Sequence, residues 1–289
     1  MAHIYSMTGF GKASKQMPGK KITIEVKSLN SKQLDMNIRT PQLFREKEPE
    51  IRQMVAHQCG RGKVDFNFYC EVTGPEMAPK INIPLVENYL KQLQVIMADT
   101  GMQGDALAAV MRLPDITQAA VDEIDAVEWQ QMREVVEQAL AKLGQHRADE
   151  GETLRQELSN RVGIIRHKLN EVEPHEGDRV KRIKEKLQRS LSELKEKIDE
   201  NRFEQELIYY LEKLDVTEEK VRLKTHLDYF EELLSQGGQV GKKLGFMAQE
   251  MGREINTLGS KANHSGIQKL VVEMKDELEK IKEQALNIL

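Results

Sequence analysis

The feature that most constrains this 289-residue chain is a pair of glycines set between two amphipathic stripes. Val216, Leu223, Leu227, Phe230 and Leu234 recur at helical spacing before Gly237-Gly238. Leu244, Met247, Ala248, Met251, Ile255 and Leu258 do the same after it. Two glycines stop the first helix, and a tight corner starts the second, so the helices become antiparallel neighbours. Each carries a polar line along its apolar edge. Glu219, Arg222 and His226 lie on the first at i, i+3 and i+7. Glu250, Glu254 and Thr257 lie on the second, with Arg253 beside them and Lys261 in its continuation. Two carboxylates at i and i+4 repel by roughly 0.2–0.5 kcal/mol on an isolated helix. A cation, a metal or a substrate group offsets that cost; so does a solvated salt network with Arg253 and nearby lysines. The corner itself, Gly237 to Lys243, is no phosphate loop. Its spacing is GxxxGKK rather than GxxxxGK[ST], and a helix precedes it where a strand is needed. No nucleotide cofactor is expected.

Other signals set the surroundings of this pair. Asp215 with Glu218, and Ser265 with Gln268, have the spacing of capping boxes. Ile267, Leu270, Val271, Met274, Leu278, Ile281 and Ala285 mark a last amphipathic helix, able to pack within the subunit or on a partner. Between 144 and 204 the chain is charged and helix-rich. Leu154, Leu158, Ile165 and Leu169 mark one seam, and Ile183, Leu187, Leu191, Leu194 and Ile198 a second. With the Pro174–Gly177 interruption as a corner, they read as two arms of a helical hairpin. The basic run Lys181–Lys186 is a solvated face or an RNA-backbone contact.

The first half differs. Lys21–Lys27, Leu34–Arg39 and Val64–Val72 alternate apolar and polar, as half-buried strands do. Turn residues Ser28–Ser31 between the first two predict a hairpin. Pro41–Gln58, Leu85–Thr100, Asp105–Met111 and Ala126–Leu143 have helical spacing, and Trp129 is placed as a core anchor. The expected class is α+β: a small N-terminal sheet with helices, a long helical hairpin, and a C-terminal helical domain. The expected divisions are 1–150, 151–204 and 205–289. Charged residues are 31% and the net charge is −4, so no overall basic field draws nucleic acid or an anionic membrane. Any nucleic-acid contact must come from local basic patches, such as Lys242, Lys243 and Lys181–Lys186, or from assembly. Cys59 and Cys70 fit no zinc or redox spacing and read as reduced. The chain has no run of 18 apolar residues and no signal pattern, so a cytoplasmic protein is expected.

Several segments resemble a known family. Ser6-Met-Thr-Gly-Phe-Gly11, Glu25–Asn30 with Leu34-Asp35, and Arg61-Gly-Lys63 are similar to the N-terminal signature of the YicC/YloC proteins. Asn201–Glu206, Asp215, Glu218-Glu219, Arg222-Leu223 and His226 are similar to their C-terminal half. The strongest match joins Gln249–Met251, Arg253–Ala262, Val271–Lys275 and Leu278–Gln284. Three positions depart from the pattern: Gly245 replaces an expected Asp, Gly252 an Asn and His264 an Asp.

The resemblance implies an endoribonuclease, a hydrolase of single-stranded RNA that depends on a divalent cation (Mg or Mn) and forms a homo-hexamer. A part in small-RNA and mRNA turnover is the expected setting. On that reading Glu250 and Glu254, with Glu219 as a third, are the candidate metal ligands. Arg222, Arg253, Lys261, Lys242 and Lys243 are the candidate RNA contacts. His226 is the candidate general acid or base, with Glu250 and Glu254 in the catalytic set. The RNA's own 2′-hydroxyl is an alternative nucleophile. The rival class is a non-catalytic oligomeric RNA-binding scaffold or adaptor.

Overall fold

The computed structural model describes residues 3–72, 80–118, 125–177 and 200–289, with 181, 185, 188 and 189 between the last two spans. Its first layer is a four-stranded sheet of order β1-β2-β4-β3. The strands are β1 Gly9–Met17, β2 Lys20–Leu29, β3 Leu34–Arg39 and β4 Gly62–Val72. β1 and β4 each run antiparallel to β2, and β3 runs parallel to β4. The expected β2–β3 hairpin is therefore not formed. Residues 30–33 step across the width of a strand, and β4 enters the space between β2 and β3. A parallel partner needs a long crossover. Here it is a 3-10 turn, Gln42–Lys47, followed by α1, Glu48–Cys59.

The inner face of the sheet builds the first core. Ile22, Ile24, Val26, Val64 and Phe66 are fully buried, with Phe44, Ile51 and Val55 above them. Phe44 stacks on Phe68 with centroids 4.5 Å apart. Trp129 is an anchor of this core, as expected. It is buried, and its Nε1 donates to Glu50 Oε2 at 3.0 Å. A short antiparallel pair, β5 Lys80–Ile81 and β6 Thr117–Gln118, carries α2, Ile83–Thr100, and α3, Ala106–Val110. Val86, Val110 and Ile116 form a small core of its own.

One helix joins the rest. α4 runs 46 residues, Ala126–Glu171. Its first half, through Leu143, lies in the sheet's core, and Leu154, Leu158, Val162, Ile165 and Leu169 lie in a second core. It crosses the boundary expected at residue 150. The seam residues read as a hairpin arm are packed in the C-terminal core, and the seam residues of the second arm, 183–198, lie outside the described residues, as does most of Lys181–Lys186. The second core is completed by α6, Thr217–Gln236, α7, Gly241–Ala262, and α8, Ser265–Ala285. The preceding helix, α5, spans Glu200–Lys213. All seven stripe residues of α8 are buried within the subunit.

The two cores are tied by backbone. Ser6 N–H donates to Arg147 O at 2.9 Å, Met7 N–H to Asn287 O at 2.8 Å, and Gly238 N–H to His3 O at 2.9 Å. Ile4 is part of the second core. This segment lies so close on α4 that a side chain at Gly151 would overlap the Ile4 carbonyl. β1 lies equally close at Gly11, where a side chain would overlap the Ala139 carbonyl. α4 also grips α8: Arg161 bonds Glu277 at 2.9 Å. Lys280 and Arg161 together hold the Glu277 carboxyl below the ordinary carboxylate range, opposed by its partial burial.

Gly151→Ala should destabilise the fold by about 1–3 kcal/mol, the usual range for overpacking. Gly163→Ala, on an exposed stretch of the same helix with open space around it, should stabilise by about 0.4–1 kcal/mol. Paired thermal melts check both. Arg161→Gln should remove about 1 kcal/mol at neutral pH. A carboxyl whose pKa is lowered by folding stabilises above its ordinary range and loses that contribution as pH falls through the lowered value. The deficit of the variant should therefore shrink in acid, as read by denaturant titrations from pH 7 downward.

Candidate active site

The corner at Gly237-Gly238 works as its sequence implies. Both glycines have positive φ, 66° and 79°, where a side chain is strained. α6 and α7 lie against each other, with Leu223, Leu227, Leu244, Met251, Ile255 and Leu258 fully buried. A side chain at Gly241 would overlap the Ile288 carbonyl, so the start of α7 rests directly on the chain's last residues. Its N–H donates to Leu289 O at 2.9 Å.

The far end of the hairpin is closed by an ion pair between a buried carboxylate and a partly exposed lysine. Lys261 Nζ lies 2.8 Å from Glu219 Oε1, and the Glu219 side chain is only 6% exposed. Its other oxygen, Oε2, is buried without a hydrogen bond. Asp215 sits beside this pair. The Thr217 hydroxyl, at 2.8 Å, holds the Asp215 carboxyl below its ordinary range, and the charge of Lys261 adds to the effect. Asp215 also accepts from Thr217 N–H at 3.1 Å, so it turns the chain into α6 without the expected link to Glu218. The second expected capping box is likewise absent. Gln268 donates instead to the Gly259 carbonyl, and His264 takes the cap position.

The pair also fixes the register of the hairpin. Seven residues along each antiparallel helix from Glu219 and Lys261 stand His226 and Glu254. They are therefore level, about 10 Å from the ion pair at 1.5 Å per residue. Glu254 is buried, and His226 and Glu250 are half-buried. Arg253 is largely exposed, with a nitrogen 4.0 Å from Glu250. By this count His226 and Glu254 stand at the same level of the hairpin, with Glu250 and Arg253 on the same helix as Glu254. The hairpin sets Glu219 apart, against Lys261. Arg222 pairs with Glu218 on its own helix, on the exposed side. Lys242 and Lys243 are exposed at the corner end. Among the described residues, no three His, Cys, Asp or Glu side chains converge as a cation site. Glu219, Glu250 and Glu254 do not fit a shared metal within one chain, because Glu219 is too far along the hairpin.

The three departures from the family pattern have different surroundings. Gly245 faces open space. Gly252 is pressed by α8: a side chain there would meet Leu278 Cδ2 at 3.1 Å. His264 is buried, its ring 5.3 Å from that of His175. The signal missed at sequence level was Lys261 as the partner of Glu219. Both residues were candidates, but for separate tasks.

Residues 4–156 match the family described as Endoribonuclease YicC-like, N-terminal region, and residues 172–289 match Endoribonuclease YicC-like, C-terminal. The chain belongs to the YicC-like endoribonuclease family. It is similar to a probable endoribonuclease YicC of Clostridioides difficile (strain 630), at 34% identity covering 98% of this chain and 99% of that one. It is also similar to a probable endoribonuclease YicC of Haemophilus influenzae, at 30% identity covering 99% of each.

Lys261→Met should leave Glu219 buried without a counter-charge and destabilise the protein by about 1–3 kcal/mol. Glu219→Leu added to it should recover most of the loss, because a well-packed apolar pair can replace a buried ion pair. A denaturation double-mutant cycle measures this.

Proposed function

We propose that the chain is an endoribonuclease that cleaves single-stranded RNA along the α6–α7 hairpin. The observation that carries this reading is the register set by Glu219 and Lys261, which puts His226 level with Glu254 beside an exposed Arg253. The names of its relatives support the same activity. The chemistry these side chains support by themselves is attack by the RNA's own 2′-hydroxyl. His226 takes the hydroxyl proton, O2′ bonds to phosphorus, and the bond from phosphorus to O5′ breaks. The leaving oxygen takes up a proton. The products are a 2′,3′-cyclic phosphate and a 5′-hydroxyl end. Glu254, on the facing helix, adds a negative charge that favours the charged form of the imidazole. Arg253 and Arg222 hold phosphates, and Lys242 and Lys243 guide the strand at the corner. A divalent cation, expected from the family resemblance, would engage Glu250 and Glu254 and neutralise phosphate charge. We propose a homo-hexamer as the working assembly.

Purified protein should cut a single-stranded RNA oligomer and leave cyclic-phosphate ends. His226→Ala should lower the rate at least 100-fold, and Glu254→Gln 10-fold or more, with the assembly unchanged by light scattering. Runs with EDTA read the metal dependence. Products ending in 5′-phosphate would rule out the 2′-hydroxyl route. RNA binding without cleavage under any divalent metal would establish the adaptor reading instead.

A further inference from the structure

Part of the strongest family-like stretch is not used by the hairpin chemistry. Asn256 and Ser260 turn away from the α6 seam towards α8. There they line a groove of about 510 Å³ with Asn263, Gln268, Val271 and Lys275. Asn256, Asn263 and Lys275 are exposed. Among the described residues, no carboxylate lines this groove. Lys275 makes no ion pair among the described residues, while Lys280 and Lys282 of the same helix are paired with glutamates. Asn263 ends α7 in the left-handed conformation, φ 41° and ψ 37°. Gln268 is fixed by its bond to the Gly259 carbonyl. Val271 supplies an apolar wall at Gly259, where a side chain would come within 2.9 Å of it.

Amide groups offer a donor and an acceptor side by side. That pattern matches the N6 amino group and N7 of adenine. A helix C-terminus is the negative end of the helix dipole, so it favours a base with an amino group over a phosphate. Lys275, on the next helix, is placed for the neighbouring phosphate. The groove and the His226–Glu254 line lie on opposite sides of the exposed ridge of α7, which carries Arg253, Asn256 and Ser260. A strand crossing this ridge could seat a base in the groove and a phosphodiester at the hairpin.

We propose that the α7–α8 groove is a nucleobase subsite that selects adenine in single-stranded RNA, with Asn256 and Asn263 reading the base. This rests on the proposed RNA substrate. It is tested without relying on cleavage by using 2′-O-methyl oligonucleotides, which cannot supply the attacking hydroxyl. Fluorescence anisotropy compares an all-uridine 12-mer with the same sequence carrying one central adenine. The adenine oligomer should bind the unmodified protein about tenfold more tightly, and Asn256→Leu should abolish the difference while leaving uridine binding within twofold. Asn256 is exposed, so this substitution does not threaten folding, and a thermal melt confirms it. Equal binding of the two oligomers, or an unchanged preference in Asn256→Leu, overturns the subsite. Adenine preference in a protein that cuts no RNA would defeat the proposed activity and leave the subsite standing.

Discussion

The guanidinium of Arg147 is the joint on which both halves of the molecule depend. It is 3% exposed. It donates to the carbonyls of Met7 and Cys59 at 3.3 Å, to that of Arg61 at 3.4 Å, and to the Ser28 hydroxyl. These groups end α1, β2 and the N-terminal segment, so three chain terminations share one cation. Burial pushes the Arg147 pKa down, yet arginine stays charged because its ordinary value is so high. The desolvation cost is offset by converging carbonyl dipoles rather than by a carboxylate. Gly9 allows this approach, since a side chain there would come within 2.9 Å of Arg147 Cγ.

From that joint, α4 extends into both cores; the N-terminal family match ends within it at residue 156, and the C-terminal match begins just past its end at residue 172. The sheet and the hairpin are thus held by one helix, by the Arg161–Glu277 bridge and by the segment around Ile4. The candidate active site is positioned by the same logic. Its helices are fixed by an apolar seam, and its register is fixed by one ion pair, on the buried Glu219, at the end away from the corner.

Periodicity made much of this legible. Every stripe residue read for α6, α7 and α8 is buried, and the three alternating segments are strands. β1 was not legible, because Gly9, Gly11 and three lysine or serine positions dilute its alternation. Those glycines are there for α4, which the strand cannot reveal. Strand order was missed for a similar reason: turn chemistry at Ser28–Ser31 says that the chain reverses, not that a third strand will enter. The candidate site residues come from their spacing along two helices. Their division into a structural pair, Glu219 with Lys261, and a level group, His226 with Glu254, does not. It depends on how far one helix slides along the other, which no single stripe records.

The close contact of β1 with α4 sets a schedule for synthesis. The Lys142 side chain reaches the Lys12 carbonyl across 130 residues of chain. At about 5–20 residues per second, the sheet, complete at Val72, waits about 3.5–14 s on the ribosome before its covering helix exists. During that interval Ile22, Ile24, Val26 and Phe66 have only α1 to shelter them, and the unfinished protein is at its most vulnerable to association with its neighbours.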